Sequence, residues 1–334
     1  MTRACILGCE GLTLSKTERD LFRAVKPWGF ILFRRNIDNP EQVRALTDAL
    51  RECIDRFEAP ILIDQEGGRV QRMGPPNWPA YPAARKLGDV QVNDPLVRRE
   101  LVRLGARLMA HDLASVGINV DCVPVLDVPA ADGHEIIGDR AYAMDAPTVA
   151  ALGRAAAEGL IAGGVLPVIK HIPGHGRAKA DSHLELPVVG ASLEDLTAID
   201  FAPFKVLSDM PMAMTAHVVY TAIDAKRPAT TSRKAIQLIR EDLGFGGLLM
   251  SDDLSMKALG GDFESRARSA LKAGCDVVLH CNGVMTEMTQ VVDGCGAMSG
   301  KARKRAEAAL ARLAKSPEPF DVEAGRARFT AAFP

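Results

Sequence analysis

The run Lys170-His171-Ile172-Pro173-Gly174-His175-Gly176, continuing through Arg177 to Asp181-Ser182-His183, gathers a cation, several imidazoles and a carboxylate in one short stretch. An imidazole has an unperturbed pKa of about 6.5, so these residue types suit proton transfer near neutral pH. The run follows an apolar, β-branched segment, Val165-Leu166-Pro167-Val168-Ile169, which reads as a buried strand ending at Ile169. Beyond it the Pro-Gly-His-Gly turn forces the backbone into a loop, and a loop can carry a distal histidine toward a ligand.

That strand belongs to a series. Short apolar runs at residues 4–8, 29–33, 60–63, 118–125, 165–169, 212–215, 247–250 and 275–279 alternate with helical patterns such as 40–56, 95–116, 146–162, 192–208, 232–243 and 262–273. Eight strands alternating with helices predict a single α/β domain, a (β/α)8 TIM-type barrel over residues 1–298, rather than a doubly wound open sheet. No G-x-G-x-x-G or Walker sequence favours a nucleotide fold. Residues 299–334, rich in Ala, Lys and Arg, read as a helical tail packed on the barrel and not as a separate domain. Active sites of this fold sit at the C-terminal strand ends. The polar residues found there are Arg34-Arg35-Asn36, Asp64-Gln65-Glu66, Asp127, Lys170-His171, His217, Ser251-Asp252-Asp253, His280 and Asn282. Such a ring of carboxylates and cations suits a hydroxyl-rich ligand, a sugar above all.

Composition narrows the partners. The chain of 334 residues is 47% hydrophobic and can bury a large core. Its 41 basic and 42 acidic residues form no basic arm or stripe, so no nucleic-acid partner is expected. The seven cysteines lack paired C-x-x-C spacing and several lie in apolar runs, which predicts reduced core thiols. The apolar part of the N-terminus is too short for a secretory signal, and no run reaches the roughly 18 apolar residues of a membrane span. A cytoplasmic monomer without membrane association is the expectation.

Taken singly, the candidate residues leave alternatives open. Asp252 could cap the following helix, although its neighbour Asp253 suits that structural task better. His183 could be an exposed loop histidine, and Asp181 could make its own Asx bond. Lys170 with His171 could form an ion pair closing the barrel top, and Arg69 could pair with Glu66. His175 and His217 read as structural, while Trp78 and Tyr142 read as packed rather than stacked on a sugar. A metal-dependent barrel hydrolase could use His171, His175, His217 and Asp252, but Lys170 would repel a cation and no His-x-His follows the first strand. No metal and no cofactor are expected.

Three longer motifs carry a family resemblance: the Lys170 to Gly176 run with Asp181-Ser182-His183, Asp64-Gln65-Glu66-Gly67-Gly68-Arg69-Val70-Gln71-Arg72, and Ser251-Asp252-Asp253-Leu254-Ser255-Met256. Together with Ile137-Gly138-Asp139-Arg140, and from about residue 5 to residue 283, the chain resembles the bacterial β-N-acetylglucosaminidases of glycoside hydrolase family 3, the NagZ type. Ile172 departs from the Phe usual in that family and touches no reacting group.

The resemblance implies a retaining exo-hydrolase with Asp252 as nucleophile, His183 as acid/base and Asp181 as the carboxylate that holds the imidazole. It implies that Asp64, Arg72, Arg140, Lys170 and His171 bind the sugar. The implied substrate is a cytoplasmic muropeptide fragment, GlcNAc joined to 1,6-anhydro-N-acetylmuramic acid, in cell-wall recycling. Retaining glycosidases usually use two carboxylates; a carboxylate-steadied imidazole, titrating near working pH, is a sound substitute for the second. A sugar-binding protein with dead catalysis would need a broken nucleophile or acid position, and both Asp252 and His183 are present.

Overall fold

Period-two alternation along short strands sets this architecture. In the computed structural model, which describes residues 1–90, 94–131, 133–314 and 316–333, eight parallel strands close into a barrel. They are β1 (Arg3–Leu7), β2 (Pro27–Leu32), β3 (Ile61–Ile63), β4 (Val120–Asp121), β5 (Leu166–Ile172), β6 (Met212–Thr215), β7 (Leu248–Asp253) and β8 (Val277–His280). Each strand neighbours the next in sequence, and β8 closes on β1 with Cys5 opposite Val278. The fold is the (β/α)8 barrel predicted from the strand series.

Successive side chains of a strand point to opposite faces. Ile31, Leu62, Val168, Met250 and Leu279 belong to the packed barrel interior, whereas Phe30, Ile61, Ile169 and Leu249 pack outward among the helices. One further step of the interior parity reaches Phe33, Asp64, Lys170, Asp252 and Cys281, all at the upper rim. The alternation that fills the core therefore also delivers the polar groups to one end of it.

Local sequence accounts for most helix starts. Asn39, Asp94 and Asp145 each cap a helix that carries Pro in its first turn, namely Pro40–Ile54, Pro95–Ser115 and Ala146–Ala162. The helix Lys16–Val25 is additional to the predicted set, although Ser15 and Glu18 form a capping box in which Glu18 accepts the Ser15 N–H at 2.8 Å. β4 is shorter than residues 118–125: Pro124 has no N–H to give the ladder, and beyond it only Val125 bridges to Lys170. β5 is longer than its apolar run, because Lys170 still pairs with Met214 and, after a register shift at His171, Ile172 pairs with Thr215. The single helix predicted over 192–208 is Leu193–Asp195, a π turn Leu196–Asp200 and Ala202–Val206. Pro203 cannot donate within it, and the Phe201 N–H bonds Leu196 O at 2.8 Å instead.

At the lower end Ala306 and Ala309 of the helix Gly300–Leu310 join the interior cluster. The helix Val322–Ala332 buries Phe329 over Gly105, where a Cβ would come within 2.7 Å of the ring, and its Arg326 pairs with Asp112. All seven cysteines are buried and unpaired. Among the described residues no helix is long and apolar enough to cross a membrane.

Candidate active site

The rim residues surround a cavity of about 270 Å³ at the C-terminal end of the barrel. On its floor the Lys170 ammonium lies 2.8 Å from Asp64 Oδ1 and 2.7 Å from Glu66 Oε1. Arg72 reaches Asp64 Oδ2 at 3.1 Å, and Arg140 grips Glu66 as a fork at 2.8 and 2.9 Å. Burial alone would raise both carboxyl pKa values. Lys170 and Arg72 instead hold Asp64 well below the ordinary range, while Lys170 and Arg140 bring Glu66 down to about 2. Burial would likewise neutralise Lys170, but Asp64 and Glu66 hold it above its usual value. The floor is thus an array of fixed charges whose spare lone pairs and N–H groups can bind hydroxyls.

Asp252, the next interior position after Met250, accepts the Asp253 N–H at 2.8 Å. Burial would raise its pKa, but the imidazoles of His171 and His217 and that N–H hold it below the ordinary value, as an ionised carboxylate facing the cavity. Asp253 instead ties the turn, accepting the N–H groups of Ser255 at 3.0 Å and Cys281 at 3.1 Å.

Lys170 and His171 are not partners of each other, contrary to the simple ion-pair possibility; each has its own carboxylate. His171 Nδ1 lies 2.7 Å from Asp127 Oδ2, and Asp127 Oδ1 accepts the backbone N–H groups of His171 and His175 at 3.2 and 2.6 Å. Asp127 therefore fixes the root of the loop that leaves β5. At the far end of that loop Asp181 Oδ1 is 2.8 Å from His183 Nδ1 and accepts the His183 N–H at 2.8 Å. With Nδ1 engaged, Nε2 is the ring atom left for a ligand. Ser182 steadies this end, its Oγ 3.1 Å from His175 Nε2 and its carbonyl accepting from Ala258 N at 3.2 Å.

The structure brings Asp252, His183, Asp64, Arg72, Arg140, Lys170 and His171 to one cavity, with Asp181 behind His183. Glu66 and Asp127 must be added to the predicted site residues. Both lie at strand ends, a signal available in the sequence, but their partners lie at least 44 residues further along the chain. Arg69 does not pair with Glu66, which is occupied by Arg140 and Lys170; it pairs with Asp139 at 3.0 Å. His217 lies outside the cavity lining with both ring nitrogens engaged, by Thr230 at 2.7 Å and Asp253 O at 3.0 Å. Trp78 and Tyr142 are buried and line no part of the cavity. Among the described residues no three His, Cys, Asp or Glu side chains converge as a metal shell.

Comparison with known proteins agrees with this geometry. The model of the glycosyl hydrolase family 3 N-terminal domain matches residues 11–315. A beta-hexosaminidase of Bordetella avium is 40% identical over 278 residues, covering 81% of this chain and 78% of that one. The crystal structure of NagZ from Neisseria gonorrhoeae in complex with N-trifluoroacetyl-D-glucosamine superposes with a TM-score of 0.85 at 33% identity, covering 98% of this chain and 95% of that one. A family 3 beta-N-acetylglucosaminidase from Paenibacillus sp. str. FPU-7 gives a TM-score of 0.89 at 29% identity over 98% of this chain and 66% of that one, so this chain spans about two thirds of that longer protein. Matched from residue 11 to residue 315 and superposable over almost its whole length, the chain belongs to glycosyl hydrolase family 3.

Proposed function

We propose that the protein is a retaining exo-β-N-acetylglucosaminidase with Asp252 as nucleophile and His183, steadied by Asp181, as acid/base. The observation that carries this is the meeting of an ionised, half-buried carboxylate and a carboxylate-held imidazole across one sugar-sized cavity. In the first step Asp252 attacks the anomeric carbon. The glycosidic bond breaks with its electron pair on the aglycone oxygen, which takes the proton from His183 Nε2. In the second step neutral His183 removes a proton from water, whose oxygen displaces Asp252 and regenerates the carboxylate. Asp64, Arg72, Arg140, Lys170 and His171 orient the sugar, offering acceptors and donors whose charges are already fixed by their mutual pairing.

The small cavity favours removal of one terminal residue, and the open side at His183, whose side chain is 60% exposed, leaves the aglycone toward solvent. Similarity to a beta-hexosaminidase and to a NagZ crystallised with N-trifluoroacetyl-D-glucosamine supports an N-acetylhexosamine as that residue. The resemblance of the sequence motifs extends this proposal to a muropeptide fragment, GlcNAc joined to 1,6-anhydro-N-acetylmuramic acid, as the substrate in cytoplasmic cell-wall recycling. On this view residues 1–298 are the catalytic barrel and residues 299–334 a tail packed on it. Hydrolysis of aryl β-GlcNAc should exceed that of aryl β-glucoside and β-xyloside by at least about tenfold in kcat/KM. Equal rates on the three would reject the N-acetyl specificity.

A further inference from the structure

We infer that Asp200, acting through Arg177, is a positioning residue that holds the loop bearing His183 against the cavity; this rests on the assignment of His183 as acid/base. Asp200 lies outside the cavity, in the π turn Leu196–Asp200, with its side chain 1% exposed. Its Oδ2 accepts the Arg177 Nε–H at 2.6 Å, and Arg177 stands in the loop four residues before Asp181. Gly174, with φ of 144°, sits directly on the same aspartate: a Cβ there would lie 2.8 Å from Asp200 O. From the short strand Val219–Tyr220, beyond β6 and outside the barrel, Tyr220 Oη donates to Gly174 O at 2.6 Å. The first turn of the loop is thus seated at Gly174 and Arg177 on one element, and at His175 on Asp127.

A role in fold stability alone explains this arrangement poorly. Asp200 Oδ1 has no hydrogen-bond partner among the described residues, and burial lifts the carboxyl pKa to about 6 against the pull of Arg177. A buried carboxylate with an unmatched oxygen costs folding energy that an apolar residue would not. What the charge supplies is a fixed point for a glycine-rich segment that makes no regular ladder. The π turn serves the same end, since its extra residue turns Asp200 off the helical register and toward the loop, and such turns recur at functional sites.

The test uses aryl β-GlcNAc substrates graded by leaving-group pKa, with Asp200→Asn, Arg177→Gln and their double variant measured beside His183→Ala. A displaced acid should lower kcat/KM for poor leaving groups by about ten- to a hundredfold. For a dinitrophenyl leaving group, which needs no proton, the loss should stay under about twofold. The double variant should lose no more than either single one, because one ion pair carries the effect. If His183→Ala has the leaving-group dependence but Asp200→Asn and Arg177→Gln lose nothing, or lose equally on all substrates, the inference is overturned and His183 keeps its assignment. If His183→Ala lacks that dependence, the acid/base assignment falls and the positioning role falls with it. Should Asp200→Asn fail to fold, Arg177→Gln at its partly exposed site decides alone.

Discussion

Adjacent aspartates at the end of β7 separate two tasks by one residue. Interior parity turns Asp252 to the cavity, while Asp253 receives the N–H groups of a turn. Replacing Asp252 by Ala should therefore abolish turnover on every substrate, a loss of at least about 10⁴ in kcat, without unfolding the protein. His183→Ala should instead be selective: activity on poor leaving groups falls by about 10²–10⁴ and that on activated aryl glycosides far less, as measured by a leaving-group series. Equal losses would argue against His183 as the acid. Which side chains reach the rim was legible in the sequence, since each lies two positions beyond a core residue, as in Met250 to Asp252 and Val168 to Lys170. Their partners were not, because pairing depends on which strands become neighbours. Arg69 and Arg140 are both plausible mates for Glu66 by charge, and only the fold gives Glu66 to Arg140.

At the level of elements, the loop after β5 is shaped by close backbone approach. A Cβ at Gly176 would come within 1.9 Å of Val128 O, and neither backbone can yield without moving the loop or the segment after Asp127. Gly176→Ala should displace His183 and lower activity about a hundredfold on poor leaving groups while the circular dichroism spectrum keeps its native shape. Unchanged kinetics would show that the loop tolerates the shift. The loop itself was legible from its Pro-Gly-His-Gly turn. The extension of β5 through His171 was not, because a lysine and a histidine end an apolar run by composition, yet pairing resumes at Thr215 after a register shift past Met214. The π turn was equally hidden, for its cause lies in Pro203 and in contacts with a loop distant in sequence.

The whole molecule should answer to pH through its buried charges. Burial and the charge on His171 push His175 down to about 4, so the unfolded chain, with an ordinary value of about 6.5, binds that proton first. Stability from His175 is therefore lost as pH falls from about 6.5 to about 4. Asp200, lifted to about 6, acts with the opposite sign: the folded protein binds its proton first and gains stability over nearly the same window. Burial holds His217 and His280 low as well, so they act with His175, while Asp121, lifted by burial, acts with Asp200. Below about pH 4.5 Glu66, Asp64, Asp127 and Asp252, all held low in the folded state, resist protonation there, and stability should drop steeply. Asp200→Asn removes one stabilising term, so between about pH 6 and 4.5 its melting temperature should fall more steeply with falling pH than that of the parent protein. Equal slopes in parent and variant would contradict the raised Asp200 carboxyl. Phe329→Ala, emptying the contact between the last helix and Gly105, should cost about 3–4 kcal/mol by denaturant titration. The barrel was the most legible feature, because eight repeats of one pattern reinforce each other. The seating of the last helix was the least, resting on Phe329 over Gly105 and on the pairing of Arg326 with Asp112, contacts between residues far apart in sequence.

The proposed chemistry turns on a covalent bond between Asp252 and the sugar. The most direct measurement is peptide mapping by mass spectrometry after incubation with a slow fluorinated GlcNAc donor, which forms the glycosyl-enzyme faster than water can remove it. The predicted result is one sugar attached to the peptide containing Asp252, at that carboxylate. A sugar on another residue, or turnover of the donor without any adduct, would contradict it.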